Sequence, residues 1–267
     1  MMSNHQFFSR RRFGAYFSKR FIEQWRTNAL RTLLLFAGLL IVMILIAVNT
    51  YPDVYLENRT VYDESDRTED PIHIVENVVF LLSLFAVGIL MASQLLHDGR
   101  RKPARIAMLT TPVSPFENWL TRWIMHVPLP LVVFLVCFHA ADAIRVAVFA
   151  PIYPELGISL FWLGADAFTV TGTSNIALAY ACCTTFYLVG GTFFPRRAVL
   201  ATSVVALFAG LYFALILMTF SFSSVKSPSY DYSPQLVFIQ VYLWATVLLG
   251  WWLSYRRFRE LEVIDRI

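Results

Sequence analysis

The sequence has little charge. Only 15% of its 267 residues are Asp, Glu, Lys or Arg, whereas 57% are hydrophobic. Soluble domains carry about 25% charged residues, so this composition argues against an ordinary soluble protein. The apolar residues are also concentrated in windows near the length of about 20 residues that a helix needs to cross a bilayer. The six windows are 31–50, 75–96, 124–141, 175–194, 198–221 and 235–254.

Cysteine and catalytic motifs are scarce as well. The three cysteines, Cys137, Cys182 and Cys183, lie inside apolar windows, where small buried side chains are a better interpretation than a disulfide or metal site. The sequence contains no GxxxxGK[ST] phosphate loop, no HExxH motif and no GxSxG motif. Its five histidines do not pair at metal-ligand spacing. We therefore expect a protein that is not an enzyme and has no cofactor or metal.

The distribution of Lys and Arg predicts the topology, because these residues stay on the cytoplasmic side of membrane spans. Residues 1–31 hold seven basic side chains and one acidic side chain, and residues 97–123 hold five basic and two acidic side chains. The tail 255–267 holds four arginines. The loop 51–73 instead holds seven acids and two arginines. Six spans with both ends inside would place 18 of the 22 Lys and Arg in the cytoplasm. The predicted fold is an all-α membrane protein with six transmembrane helices and cytoplasmic N and C termini.

We expect one transmembrane domain over 1–267, at the cell's inner (plasma) membrane, with three cytoplasmic parts. These parts are an interfacial helix at 10–28, a segment at 98–122 and a tail at 255–267. The stretch 143–174 contains prolines, glycines and isolated charges. It is too interrupted to span easily, so we expect a short interfacial or re-entrant piece on the outer side.

The N-terminal segment 10–28 has the pattern of an amphipathic helix. Aromatic residues recur at three- and four-residue steps, while basic residues occupy the other faces, as in helices that lie in the membrane interface. Two interpretations stay open, a generic anchor beside the membrane and a defined elbow helix that enters the first span. The aromatic positions are Phe13, Tyr16, Phe17, Phe21 and Trp25.

Charged residues inside spans are costly and often functional. Asp142 and Arg145 are three residues apart near the end of the third window, and His139 is one turn earlier. A helix would align these side chains. We interpret Asp142 and Arg145 as a candidate span-end ion pair, and a proton or ion relay is the alternative.

The stretch "MLTTPVSPFENWLTRW", residues 108–123, is a punctuated polar interruption between two apolar windows. Pro112 and Pro115 each disfavour helix in the residue before them. Ser114 is then expected to be an N-cap, with Pro115 at the first helical position and Glu117 closing a capping box. An ordinary transition from loop to span and a functional cytoplasmic segment are both compatible with these residues.

This layout resembles the membrane subunit of ABC-2 type transporters, whose ATPase is usually a separate chain. Several bacterial permeases of this class have a run similar to LP-(S/T)-x-x-E-K-x-x-x-R between spans two and three. This sequence departs from that run in the two threonines between its leucine and proline, and in Asn118 where lysine is common. Leu109, Pro112, Ser114, Glu117 and Arg122 occupy comparable places.

The resemblance implies that segment 98–122 forms a coupling helix that docks into a cleft of the ATPase. It also implies a homodimer, or a pseudo-dimer with a similar permease, that moves its substrate by alternating access. We expect an exporter surrounded by membrane lipids, without nucleic acid as a partner. The residues expected to shape the ATPase contact are Pro112, Ser114, Pro115, Phe116, Glu117 and Arg122, beside the basic cluster Arg100, Arg101, Lys102 and Arg105.

Two other classes of function are alternatives to transport. A non-transporting membrane scaffold or assembly factor would use the same basic inner face to hold a cytoplasmic partner or anionic lipid. An intramembrane enzyme is poorly supported, because no nucleophile–base pair or metal set appears within the apolar windows.

Overall fold

The computed structural model describes residues 8–58, 70–95, 111–161, 172–194, 198–207 and 233–264. Every regular element within these ranges is a helix, and they contain no strand. The elements are α1 (Arg10–Asn58), α2 (His73–Ala92), α3 (Pro115–His126), α4 (Pro128–Phe149), a 3-10 helix (Pro154–Leu156), α5 (Gly172–Phe193), α6 (Ala198–Leu207) and α7 (Ser233–Ile264).

Within the described residues, four helical stretches are long and apolar enough to cross a membrane. Large apolar side chains on these stretches face outward; Leu34, Leu82 and Val136, for example, are between 65% and 71% exposed. Such exposure is costly in water and is expected where lipid covers the helix. The four stretches are Arg10–Leu56, His73–Ala92, Pro115–Phe149 and Ile176–Phe193.

The all-α prediction is confirmed for the described residues. The count of six spans and the cytoplasmic placement of both termini stay predictions. The fifth window, 198–221, is described only as far as Leu207, where it forms α6. The sixth window, 235–254, lies within α7.

Helix α1 is unusually long. Its 49 residues correspond to about 73 Å at 1.5 Å per residue, more than twice the hydrocarbon thickness of about 30 Å. The helix therefore extends well beyond the length that a span requires. The predicted interfacial helix at 10–28 is not a separate element, because α1 continues from Arg10 to Asn58 without a break. That this part lies along the membrane surface stays a prediction.

The chain leaves regular helix after α4. Residues 150–161 form a turn, the short 3-10 helix and an irregular stretch, and Gly157 adopts a left-handed conformation with φ 61°. Glycine tolerates this conformation because it lacks a Cβ atom. The stretch falls within the interrupted region 143–174 expected from the sequence, although α4 occupies its beginning. Its re-entrant character stays a prediction.

The helices pack into two compact units. One unit contains the start of α1, α2 from Gly88 onward, α3, α5, α6 and α7. In this unit α5 and α7 approach closely, because a Cβ atom built on Gly250 would lie only 2.2 Å from Cγ2 of Thr185. Small residues at such positions allow helix backbones to come together in membranes.

The other unit contains α1 from Ala15, α2 as far as Val87, α4 and the stretch 150–161. Its interior is aromatic: the ring of Phe80 lies 5.6 Å from Phe134, 5.0 Å from Phe138 and 5.2 Å from Phe161. Phe134 and Phe138 are inaccessible to solvent. This packing joins α2, α4 and the stretch 150–161 around a common core.

Candidate functional site

Helix α3 begins with the capping box expected from the sequence, which the structure confirms. Ser114 has extended backbone angles, and its hydroxyl accepts a hydrogen bond of 3.2 Å from the Glu117 backbone N–H. Oε2 of Glu117 in turn accepts one of 3.0 Å from the Ser114 N–H. Pro115 stands at the start of the helix, where its missing N–H has no cost. These bonds satisfy amides that a helix start otherwise leaves unpaired.

The Glu117 carboxylate also binds the beginning of α1. Oε1 accepts hydrogen bonds from the Ser9 backbone N–H at 2.7 Å and from Nη2 of Arg12 at 2.8 Å, and Oε2 accepts one from Nε of Arg12 at 2.7 Å. Each carboxylate oxygen therefore receives two bonds. We call Ser9, Arg12, Ser114 and Glu117 the Glu117 latch. It is formed by a fully buried carboxylate and a guanidinium that is 36% exposed.

Arg122 is also held inside this unit. Nε donates to Oδ1 of Asn118 at 3.2 Å, and Nη1 donates to the Leu95 backbone carbonyl at 3.2 Å. The guanidinium lies over the ring of Phe258, 5.7 Å from its centroid. Arg122 therefore ties the end of α2 to α3 and packs on α7.

The six predicted coupling residues thus differ in position. Pro112 and Pro115 are exposed, Ser114 and Phe116 are half-buried, and Glu117 and Arg122 are buried. The first four therefore leave surface accessible at the start of α3, whereas Glu117 and Arg122 lie beneath that surface. The predicted basic cluster of Arg100, Arg101, Lys102 and Arg105 lies outside the described residues.

Aromatic side chains of α3 and α7 pack together and form an aromatic cluster that holds α3. Trp119 donates from Nε1 to the Ser254 hydroxyl on α7 at 3.3 Å, and the ring of Trp123 packs edge-on against Trp251 at 4.9 Å. Phe116 packs edge-on against Tyr255 at 5.8 Å. Because the hydrophobic side of α3 is covered by α7, the helix is fixed along its length as well as at its start.

The predicted aromatic face of the 10–28 segment is present on α1. Phe17 stacks on Phe21 at 6.3 Å, and Phe21 contacts Trp25 at 5.9 Å. Phe13 packs near Phe8 at 5.6 Å. Tyr16 is buried and accepts a hydrogen bond from Nε of Arg20. Trp25 is 58% exposed, so this end of the face is free of protein contact over most of its surface.

A second polar site lies in the other unit. Asp142 and Arg145, the candidate span-end ion pair, are in direct contact, with 2.7 Å between Oδ1 of Asp142 and Nη2 of Arg145. Asp70 and Glu76 each approach Arg145 to 2.8 Å, and the Tyr51 hydroxyl accepts a hydrogen bond from it. We call Tyr51, Asp70, Glu76, Asp142 and Arg145 the Arg145 cluster. None of its charged side chains is more than 3% exposed.

The stretch 150–161 covers this cluster with its backbone. The Ser159 carbonyl accepts a hydrogen bond of 2.9 Å from Nη2 of Arg145, and the Ser159 N–H donates to Oδ2 of Asp70 at 3.3 Å. The Phe161 N–H donates to Oδ2 of Asp142 at 2.6 Å. An irregular segment is tolerated at such a position because the charged side chains satisfy its backbone groups.

The sequence signal for two members of the cluster was weak. Glu76 is a carboxylate at the start of an apolar window, where the sequence favours a position at interface depth over a buried functional group inside the span. Asp70 is one of seven acids in its loop, and nothing in the local pattern distinguishes it from the others. No group of three or more metal-ligating side chains occurs in the part of the chain that the structure describes.

Comparisons of the chain with protein-family models, with curated proteins and with solved structures each find no match. In the part of the chain that the structure describes, the fold is that of an all-helical protein with four helices able to span a membrane.

Proposed function

We propose that this chain is the membrane-spanning permease subunit of an ATP-driven ABC-2 type transporter. In this proposal a separate ATPase chain hydrolyses ATP, and two permease subunits move the substrate by alternating access, most simply for export across the inner (plasma) membrane. The resemblance of the 109–122 run to that family supports the proposal, as do the apolar helices and the distribution of positive charge.

The observation that carries the proposal is the construction of α3. A helix that transmits the movement of a partner must not fray at the end where the partner binds. The latch and capping box hold the first turn of α3 at Ser114 and Glu117, and the aromatic cluster holds the rest. Pro112 and Pro115 nevertheless stay exposed at its start. This combination is suited to a rigid docking element.

The division of roles follows from burial. A partner ATPase would contact the exposed start of α3 around Pro112 and Pro115, and Phe116 at its edge. Glu117 would act indirectly by fixing the start of α1 beside that surface. Movement imposed on α3 would then reach α1 through Arg12 and α7 through the aromatic cluster.

The proposal is tested with a substitution on the surface that leaves the latch intact. Pro112→Glu places a charge at the exposed position, and we expect it to reduce recovery of the co-expressed ATPase by about tenfold or more, equivalent to 1.4 kcal/mol per factor of ten. Ser18→Glu, which adds the same charge at an exposed position of α1, is the matched control. Equal recovery with both variants would show that the contact lies elsewhere.

A second measurement concerns ATP hydrolysis. The purified chain alone is expected to hydrolyse no ATP, and the complex is expected to hydrolyse ATP at a rate that Pro112→Glu lowers. Hydrolysis by the chain alone would contradict the proposal. Stable recovery of a cytoplasmic partner that is not an ATPase would favour the scaffold alternative instead.

A further inference from the structure

Arg145 has no hydrogen-bond donor left for Glu76. A guanidinium has five N–H donors. Two of the five donors of Arg145 bind Oδ1 of Asp142, from Nε at 2.8 Å and from Nη2 at 2.7 Å. The second N–H of Nη2 donates to the Ser159 carbonyl at 2.9 Å. Nη1 donates to Oδ2 of Asp70 at 2.8 Å and to the Tyr51 hydroxyl. Oε1 of Glu76 lies 2.8 Å from Nη2 but receives no hydrogen bond.

The other two carboxylates of the Arg145 cluster are well supplied with donors. Asp70 accepts from the Tyr51 hydroxyl at 3.1 Å and the Ile72 N–H at 3.2 Å, in addition to Arg145 and Ser159. Asp142 accepts from Arg145 and the Phe161 N–H. Both are therefore suited to the ionised form, which can only accept hydrogen bonds.

Glu76 differs from both. Its side chain is 2% exposed, and its Oε1 lies 2.8 Å from the same Nη2 atom of Arg145 that Oδ1 of Asp142 approaches to 2.7 Å, so the two carboxyl groups lie side by side. Two ionised carboxylates cannot hydrogen-bond each other, because neither has a proton to donate. A buried carboxylate oxygen without a donor, such as Oε1 of Glu76, also carries a large desolvation cost. A neutral carboxylic acid at Glu76 resolves both problems, since its O–H can donate to Asp142.

We propose that the Arg145 cluster is a proton-binding site in which Glu76 carries the proton and donates it in a hydrogen bond to Asp142. The cluster then holds Arg145 as a cation, Asp70 and Asp142 as anions and Glu76 as a neutral acid. With Glu76 neutral, the cluster has one negative charge more than Arg145 compensates, and the backbone and hydroxyl donors stabilise that charge. With Glu76 ionised, two negative charges would be uncompensated.

The surroundings contain other titratable groups. His73 precedes Glu76 by three residues on α2, and His139 precedes Asp142 by three residues on α4. Both imidazole rings pack against the ring of Phe161 at 6.3 Å. From the covering stretch the cluster is faced by Tyr153, whose ring lies 6.1 Å from that of Tyr51, the member of the cluster on α1.

Release of the proton would act on the stretch 150–161. An ionised Glu76 beside Asp142 would repel it, and Asp142 holds the Phe161 N–H. Glu76 would also compete for Nη2 of Arg145, which holds the Ser159 carbonyl. Loss of the proton is therefore expected to weaken the backbone cover of the cluster. This site does not depend on whether the chain partners an ATPase.

Infrared spectroscopy of the purified full chain tests the proposal directly. Exposed carboxyl groups titrate near pH 4 and are ionised at neutral pH, whereas Glu76 is expected to give the carbonyl absorption of a protonated carboxylic acid there. Glu76→Gln should fold normally, because a glutamine supplies a neutral donor of similar shape, and it should lack this absorption. Glu155→Gln, at an exposed carboxylate of the covering 3-10 helix, should retain it.

Each alternative result would overturn the proposal. Absence of the protonated-acid absorption from the wild-type chain at neutral pH would show that the cluster binds no proton. Persistence of the absorption in Glu76→Gln would place the proton on another residue. Failure of Glu76→Gln to yield folded chain, with Glu155→Gln folding normally, would show that a neutral donor cannot replace Glu76.

Discussion

Arg12 and Glu117 form a two-pronged ion pair across 105 positions of the sequence. Nε of Arg12 lies 2.7 Å from Oε2 and Nη2 lies 2.8 Å from Oε1. The planar guanidinium matches both oxygens of the carboxylate, a geometry that lysine cannot reproduce. Glu117 thereby connects the capping box of α3 to the start of α1, so that one buried carboxylate positions both helix starts.

Removal of Arg12 is expected to destabilise the unit that contains α3. Arg12→Ala leaves the buried Glu117 carboxylate without its cation. Because the guanidinium is 36% exposed and water screens part of the interaction, we expect a loss of about 1–2 kcal/mol in the free energy of unfolding, below the range for fully buried pairs. Arg12→Lys should recover only part of this loss.

A double-mutant cycle with Glu117→Gln measures the coupling itself. We expect an interaction free energy of at least about 0.5 kcal/mol, as is found for residues in direct contact. Denaturant unfolding in detergent supplies the four free energies. Additive effects of Arg12→Ala and Glu117→Gln would mean that the two side chains do not interact in the folded chain.

The N-cap of α3 can be tested separately. Ser114→Ala removes the hydroxyl that accepts from the Glu117 N–H, which costs about 1 kcal/mol at typical N-caps. Ser114→Thr keeps the hydroxyl and should remain close to the wild type. Thermal unfolding of the three proteins gives the comparison, and equal loss of stability in both variants would assign the effect to packing at this position.

Arg145 is expected to be essential for folding of its unit. Arg145→Ala leaves the carboxyl groups of Asp70 and Asp142 without a buried cation, and removal of one partner from a buried ion pair costs about 3–5 kcal/mol. Arg145→Lys should be intermediate, because an ammonium has three donors in place of five. Yield and thermal stability in detergent measure both effects.

Arg257 provides the matched control for Arg145. It forms a 3.0 Å ion pair with Glu260 three residues later, but both side chains are about half exposed. Exposed pairs contribute about 0–1 kcal/mol, so Arg257→Ala should change stability little. A comparable loss in Arg257→Ala and Arg145→Ala would contradict the assignment of Arg145 to a buried cluster.

The close approach of α5 and α7 predicts a size-dependent effect at Gly250. Gly250→Ala would place its methyl group 2.2 Å from Cγ2 of Thr185, so the Thr185 side chain or the helices must shift, at a cost of about 1–3 kcal/mol. Thr185→Ser removes that methyl group and should restore part of the stability in the double variant. Gly38→Ala, where no atom lies within 4 Å, should be neutral or slightly stabilising. Thermal unfolding distinguishes these outcomes.

The sequence was most informative where the interaction is local. The capping box at Ser114 and Glu117 could be predicted because both residues belong to one helix turn and Pro115 marks its first position. The alignment of Asp142 with Arg145 followed for the same reason, from a spacing of three residues on a helix. Apolar windows likewise indicated the helices that could span a membrane.

The long-range partners could not be predicted in this way. Periodicity assigns a residue to a face of its own helix, but it carries no information on which other element covers that face. Arg12 was therefore expected among the basic residues of an interfacial helix, and the structure pairs it with Glu117. Glu76 and Asp70 precede Arg145 by 69 and 75 residues, and they contact it only because the chain packs this way when folded.

Affinity purification of the chain from its native membranes, with identification of the co-purifying chains, tests the permease proposal most directly. We expect an ATPase to be recovered in an amount comparable to that of the chain, and to be lost with Pro112→Glu but retained with Ser18→Glu. Recovery of the folded chain without any ATPase, under conditions that preserve known membrane complexes, would contradict the proposed function.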